Sequence, residues 1–320
     1  MRDNLHKNIV TVDCHYIRET LAASYLVRGK NENVIIETGH PGAVPHILAE
    51  MQTNQIPPDS ISLIFVTHVH LDHCGGLGGL LEKCRNASVV CHPRARPHLV
   101  DPKRLIKGSM AVYGEPLYNS LYGTIHPIDD EKIKTVEDGE VIKLDNLSFR
   151  ILHTAGHARH HICIFEETSG TVFTGDTFGV AYPDLQLGTR KFIYPATTPS
   201  DFDIPEARKS IQRILDLKAE SAWLVHFGNW QDIPDGATQL LYALDEIENI
   251  QSRAQTEDMT GESLQKYCYE QLKIFIHGEL KSRGIFLSPE QSKIFDYDIK
   301  MNALGISYAI DKQRRELNRG

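Results

Sequence analysis

The 320-residue sequence predicts an α/β fold followed by a helical extension. Two patterns carry that prediction. From about residue 23 to residue 228, short β-branched runs end in turn residues or in histidine and aspartate, and helical stretches alternate with them. After about residue 235, leucine and isoleucine recur at helical spacing instead.

Taken in order, residues 33–37, 61–67, 88–91, 147–152, 161–165, 171–174 and 222–225 each read as strands. Among the intervening helices, 44–52 is amphipathic and 79–84 follows a glycine-rich turn. A third, 205–217, opens with Asp203, Pro205 and Glu206 in capping-box spacing. Residues 93–134 mix prolines, glycines, tyrosines and basic residues without a clean period, which predicts a long loop over one face. In the extension, Leu240, Leu241, Leu244, Ile247 and Ile250 mark one helix, and Leu264, Tyr267, Cys268, Leu272 and Phe275 a second. Ser288, Pro289 and Gln291 announce a third, with an N-cap, a proline at the first helical position and a reciprocal cap. The shift in composition divides the chain into 1–234 and 235–320, and no Pro-, Gly- or Ser-rich linker separates the two parts.

Composition narrows the function. With 34 basic and 42 acidic residues the net charge is −8, which argues against a broad cationic surface for nucleic acid. The longest apolar runs, such as 64–66 and 34–36, fall far short of the roughly 20 residues of a membrane helix. Residues 1–11 carry Arg2, Asp3, His6 and Lys7 and no apolar stretch before a cleavage site, and the six scattered cysteines form no C-x-x-C pair. A cytoplasmic protein with reduced thiols is expected, acting on a small molecule rather than on nucleic acid or membrane. Sixteen histidines, against five methionines and two tryptophans, are left to explain.

Their placement supplies a reason. The strand at 61–67 runs into His68-Val69-His70-Leu71-Asp72-His73-Cys74-Gly75-Gly76. In extended backbone, residues i and i+2 point to the same side, so His68 and His70 can grip one ion together. Asp72 and His73 fall where the chain turns into a helix and can face a second ion, and the two glycines let that turn be sharp. Later strands lead to His157, to Asp176 and to His226, each just past a strand's carboxyl end, where sites gather in α/β sheets. Imidazole and carboxylate suit zinc, iron and manganese.

At these residues the sequence resembles the metallo-β-lactamase superfamily of binuclear metal hydrolases, whose H-x-H-x-D-H motif reads here His68, His70, Asp72 and His73. The T-P-G-H segment of the family reads Thr154-Ala155-Gly156-His157, its bridging aspartate matches Asp176 in Thr174-Gly175-Asp176, and its last histidine matches His226. The resemblance implies an αββα sandwich, here with a C-terminal helical extension. It implies that His68, His70 and His157 hold one metal, that Asp72, His73 and His226 hold the other, and that Asp176 bridges them. Two positions depart from the pattern: Glu37 stands for an aspartate in the early strand, and Ala155 for the proline. A closer overall likeness within the superfamily is to a glyoxalase II-like group with Asp201 to Asp203, His226 to Gly228 and Gly305 to Tyr308 in matching places.

The function so implied is a hydrolase that uses a metal-bridging hydroxide on a small ester, thioester or lactone. The cofactors would be two divalent ions, zinc first, with iron or manganese as alternatives. Asp72 is expected to orient the nucleophile and carry a proton. A di-iron oxygen-binding, redox or signalling protein on the same fold is the competing reading. His153, His160 and His161 would lie beside the ligands as hydrogen-bonding or substrate-facing groups. Tyr182 and Tyr194 read as packing residues, and Cys74 as a small buried side chain. The extension is expected to act as a lid and as a homodimer contact.

Overall fold

The structure, a computed structural model, describes residues 7–187 and 190–317. It divides into two compact units. The first comprises the chain up to Thr154 with His160–Gly175 and Lys218–Gln231, and the second comprises Ala155–Arg159, Asp176–Leu217 and the chain from Asp232 onward.

The first unit holds two six-stranded sheets. One runs in the order β1 (Ile9–Asp13), β2 (Ala23–Arg28), β3 (Asn33–Ile36), β4 (Ile61–Phe65), β5 (Ser88–Cys91) and β6 (Ile133–Thr135). Its first three strands pair antiparallel and the rest parallel. Parallel pairing requires crossovers. These are supplied by α1 (Val44–Thr53), α2 (Leu71–Cys74), α3 (Leu77–Lys83), α4 (Arg96–Val100), α5 (Lys103–Tyr113) and α6 (Glu115–Leu121). The other sheet adds β7 (Val141–Leu144), β8 (Leu147–His153), β9 (Ile162–Glu166), β10 (Thr171–Gly175), β13 (Ser221–Leu224) and β14 (Gly228–Trp230), with β10 and β13 parallel.

Strand alternation separates two cores. Tyr25, Val34, Ile36, Phe65 and Val90 meet Phe149, Ile151, Ile164, Phe173 and Trp223 of the other sheet. The intervening Leu26, Ile35, Ile64, Val66 and Val89 face α1, α3 and the helices that follow β5. Aromatic rings lock the seam between the sheets. Tyr25 and Trp223 sit edge to face at 5.3 Å, and the Tyr25 hydroxyl donates to the Leu224 carbonyl. Because β4 is covered on both faces, its sequence is apolar at every position but Ser62 rather than alternating.

The second unit contains a small hairpin of β11 (Gln186–Leu187) and β12 (Arg190–Lys191) and four helices: α7 (Ile204–Asp216), α8 (Ile233–Thr256), α9 (Gly261–Ser282) and α10 (Pro289–Leu317). Both expected caps form. Asp203 accepts the Glu206 N–H at 3.1 Å, and at the start of α10 the Ser288 N–H donates to Gln291 Oε1 at 2.8 Å while the Gln291 N–H donates to Ser288 Oγ at 3.2 Å.

One expectation needs correcting. The 93–134 stretch is not a loop: it folds into α4, α5 and α6 and ends in β6. These elements are short and interrupted by Pro102, Gly114 and Pro116, which breaks any helical period in the sequence. They are nevertheless stabilised by burying Leu99, Tyr118, Tyr122, Ile128 and Ile133. All six cysteines are buried, and none is in a disulfide among the described residues. Among the described residues, no helix is long and apolar enough to cross a membrane.

Candidate metal centre

In the first unit the ligand run begins where β4 stops. Val66 keeps the backbone extended by donating its N–H to the Val90 carbonyl at 3.0 Å. His68 and His70 therefore project to one side, and His68 Nε2 lies 2.9 Å from His70 Nδ1. The chain then turns into α2, which carries Asp72 and His73 in its single turn. His226 arrives two residues past the end of β13. Asp72 Oδ2 lies 3.8 Å from His73 Nε2 and 3.5 Å from His226 Nε2. One carboxylate and two imidazoles thus present ligand atoms within 4.8 Å of one another. Glu37, His68 and His73 form a second such group.

The far side of each ring is held. His226 Nδ1–H donates to the Leu21 carbonyl at 2.6 Å, His73 Nδ1 lies 3.2 Å from Glu37 Oε1, and His68 Nδ1 lies 3.1 Å from Thr67 Oγ1. Fixing one nitrogen selects the tautomer and aims the other, which is how metal-binding imidazoles are set. The Thr38 backbone and hydroxyl also bind the His73 carbonyl, both at 2.8 Å, and pin the turn from beneath. Nitrogen and carboxylate donors, mostly buried and with three of the rings held from behind, fit a divalent transition ion.

The second unit contains the other two candidates. His157 Nε2 lies 3.4 Å from Asp176 Oδ2, and His157 Nδ1–H donates to the Ala196 carbonyl at 3.0 Å. Asp176 directly follows β10, and His157 lies in the short loop after β8. That loop leans on the first turn of α7: the Asp203 N–H donates to the Gly156 carbonyl at 2.8 Å, and Ser210 Oγ donates to Ala155 at 2.5 Å. Gly156 has φ +132°, and a Cβ there would come within 2.5 Å of the Ala207 backbone. Only glycine suits that position, both for its dihedral and for the close approach.

The sequence pattern of the metallo-beta-lactamase superfamily matches residues 17–226, well over half of the chain. The chain belongs to the metallo-β-lactamase superfamily. It is similar to the metallo-beta-lactamase fold-containing protein ST1585 of Sulfurisphaera tokodaii, at 26% identity over 82% of this chain and 92% of that protein. The crystal structure of ST1585 superposes with a TM-score of 0.67 at 20% identity, covering 93% of this chain and 98% of the other. It is also similar to an atrochrysone carboxyl ACP thioesterase of Aspergillus chevalieri (29% identity, 48% of this chain) and to a hydroxyacylglutathione hydrolase of Legionella pneumophila (27%, 45%). Of those two relatives the matched region spans only 39% and 42% of their length. The α/β class with two sheets and C-terminal helices is thereby the metallo-β-lactamase fold, as the sequence implied.

Within this superfamily member, residues around the ligands divide by their contacts. Glu37, fully buried, accepts from the Thr67 hydroxyl and, at 3.3 Å, from the Thr67 N–H, in addition to facing His73. His153 Nε2–H donates to the Val136 carbonyl at 2.9 Å and packs against His92, with ring centroids 4.2 Å apart. His161 Nδ1 lies 2.9 Å from Thr154 Oγ1, and its ring stacks on His68. His160 lies between His68 and His98, at 6.2 and 5.9 Å from their ring centroids. The hydroxyls of Tyr182 and Tyr194 both donate to Asp298, and Tyr194 packs edge-on against Phe295, a packing role. Burial pushes the Tyr194 phenol well above its usual range, and neighbouring Asp298 adds to that rise. Burial, with Glu37 and Asp72 nearby, likewise raises the Cys74 thiol far above the range of reactive cysteines. The anchors on Leu21 and Ala196 are backbone carbonyls, which every residue carries and no motif marks.

Proposed function

We propose that the protein is a binuclear metal-dependent hydrolase acting on a small ester, thioester or lactone. The observation that carries this reading is the convergence of Asp72, His73 and His226, each ring fixed from behind so that ligand atoms face one point. Carried over from the family motif, His68, His70 and His157 hold the first ion, Asp72, His73 and His226 the second, and Asp176 is common to both. A donor set of nitrogens and carboxylates with no thiolate favours zinc, with iron or manganese as substitutes. When bound, such ions supply Lewis acidity and an ionised water nucleophile at neutral pH.

The chain's own residues do the rest. Asp72 is part-exposed while its partners are buried, so its carboxylate can meet solvent or substrate as well as the ligand group. It is the residue that orients the attacking water and later carries its proton. His68, His73 and His226 are aimed through the partners on their Nδ1 atoms, so the direction of each ring is set before substrate arrives. The thioesterase and hydroxyacylglutathione hydrolase among the relatives support attack at an acyl carbon. Six cysteines outside any disulfide support a reducing, cytoplasmic setting. The partner is a small-molecule substrate, not nucleic acid or membrane. A homodimer through the C-terminal helices is part of the proposal, supported by exposed Tyr242, Ile274 and Phe286, and light scattering at micromolar concentration checks it.

Metal-loaded protein should turn over at least one acyl class in a panel of thioesters, lactones, phosphodiesters and sulfate esters. Asp72→Ala should lose about 100-fold or more of that activity while retaining about one equivalent of metal. Stoichiometric iron with a visible charge-transfer band and no hydrolysis would overturn the proposal in favour of a di-iron protein.

A further inference from the structure

The C-terminal helix α10 makes a set of contacts that packing alone does not require. Asn302, 2% exposed, accepts the Thr197 N–H on Oδ1 at 2.6 Å, and Thr197 Oγ1 donates to the Asn302 carbonyl at 3.0 Å. The Asn302 amide in turn donates to Asp298, at 3.0 Å to its carbonyl and 3.2 Å to Oδ2, the same carboxylate that takes the Tyr182 and Tyr194 hydroxyls. One turn further on, Gly305 lets the helix backbone lie directly against the Thr197 carbonyl. A Cβ there would overlap that oxygen and come within 2.7 Å of Thr197 C and Thr198 C. Two side chains and one missing side chain therefore clamp residues 194–198. Ala196, inside the clamped segment, is the residue whose carbonyl receives His157 Nδ1–H.

We propose that Asn302 and Gly305 of α10 are positioning residues for His157: they hold the Ala196 carbonyl where it fixes the Nδ1–H tautomer and turns Nε2 toward Asp176. The inference rests on the reading of His157 as a metal ligand only where metal affinity is the readout. A peptide carbonyl is a good anchor for a ligand imidazole when its own position is over-determined. Here the backbone N–H of the very next residue is bound to a buried amide oxygen. A weaker link runs the same way: Asp201 lies 3.8 Å from both Arg159, in the His157 loop, and Lys312 of α10. Those groups are part-exposed and contribute little by themselves. The helix that looks like an appendage in the sequence thus reaches the chemistry through a single carbonyl.

The test compares Asn302→Ala and Gly305→Ala with Asp296→Asn, which breaks a separate α10 network to Tyr269, Lys273 and Lys300 and leaves residues 194–198 alone. Long-range 1H–15N spectra of the metal-free protein read the His157 tautomer directly. Zinc affinity by chelator competition reads the consequence. Asn302→Ala and Gly305→Ala should replace the Nδ1–H signature by a mixture and weaken one zinc equivalent by roughly tenfold to a hundredfold, whereas Asp296→Asn should change neither. Thr197→Val, which removes one hydroxyl and keeps the volume, should shift the tautomer in the same direction by less, and serves if the larger changes prevent folding. A folded Asn302→Ala or Thr197→Val protein with an unaltered His157 signature would overturn the proposal. His157→Ala separates the two readings: full zinc affinity in that variant would remove His157 from the ligand set while leaving the tautomer result to stand or fall alone.

Discussion

Four of the candidate ligands, His68, His73, His157 and His226, are each a pair: a side chain and the group that holds its far nitrogen. The side chains were legible in the sequence because H-x-H-x-D-H is read from residue types and strand parity alone. The holders were legible only when they are themselves distinctive, as with Glu37, which stood out as a departure beside the site. Its longer side chain reaches both Thr67 and His73. Glu37→Ala should leave the fold recognisable by circular dichroism and weaken zinc retention by about 10–100-fold, measured with a competing chelator. Glu37→Gln, which can still accept from one donor, should lose less. An Ala variant with wild-type zinc affinity would show that Thr38, through the His73 carbonyl, orients His73 unaided. Leu21 and Ala196 act through carbonyls, so substitutions of their side chains carry no such expectation.

At the level of elements, the strands that the sequence resolves are those buried on both faces and bounded by turns, such as β4 and β10. Those it misses are β1, β6, β7 and β14, short strands of three to five residues, and β2, a nearly all-buried run. None of these offers an alternation long enough to stand out. The helices α4 to α6 were missed for the related reason that their prolines and glycines mark boundaries between short helices, not a loop. Cap signals fared better, because a cap is a local reciprocal bond. The α10 cap predicts its own test: Ser288→Ala should destabilise the protein by about 1 kcal/mol in urea unfolding, with no change in zinc content. Loss of zinc at unchanged stability would contradict that separation between the start of α10 and its Asn302 to Gly305 segment.

For the whole molecule, the seven candidate ligands are distributed over both compact units, five in the first and two in the second. Sequence order shows the set, while the division into units depends on contacts that no motif records. Stability should also carry a mark of the histidine-rich first unit. Burial, then His153 and Arg94, lowers the His92 pKa to about 4. The unfolded chain would bind a proton at its ordinary value near 6.5, so between those values the unfolded state takes up more protons than the folded one. The corresponding stability is present above about pH 6.5 and is lost as pH falls toward 4. Unfolding free energies from urea titrations at pH 7 and pH 5 should differ by on the order of 1 kcal/mol more in the native protein than in His92→Gln. Equal differences would show that His92 does not contribute to acid sensitivity.

The clamp on residues 194–198 also has a consequence for biosynthesis. Asn302 lies 105 residues after Thr197 in the chain, so it is translated well after the segment it holds. Thr197, next to Ala196, gains its partner on α10 only after that interval of synthesis. Translation order therefore sets a built-in delay: the nascent chain carries His157 for at least that interval before its setting is complete.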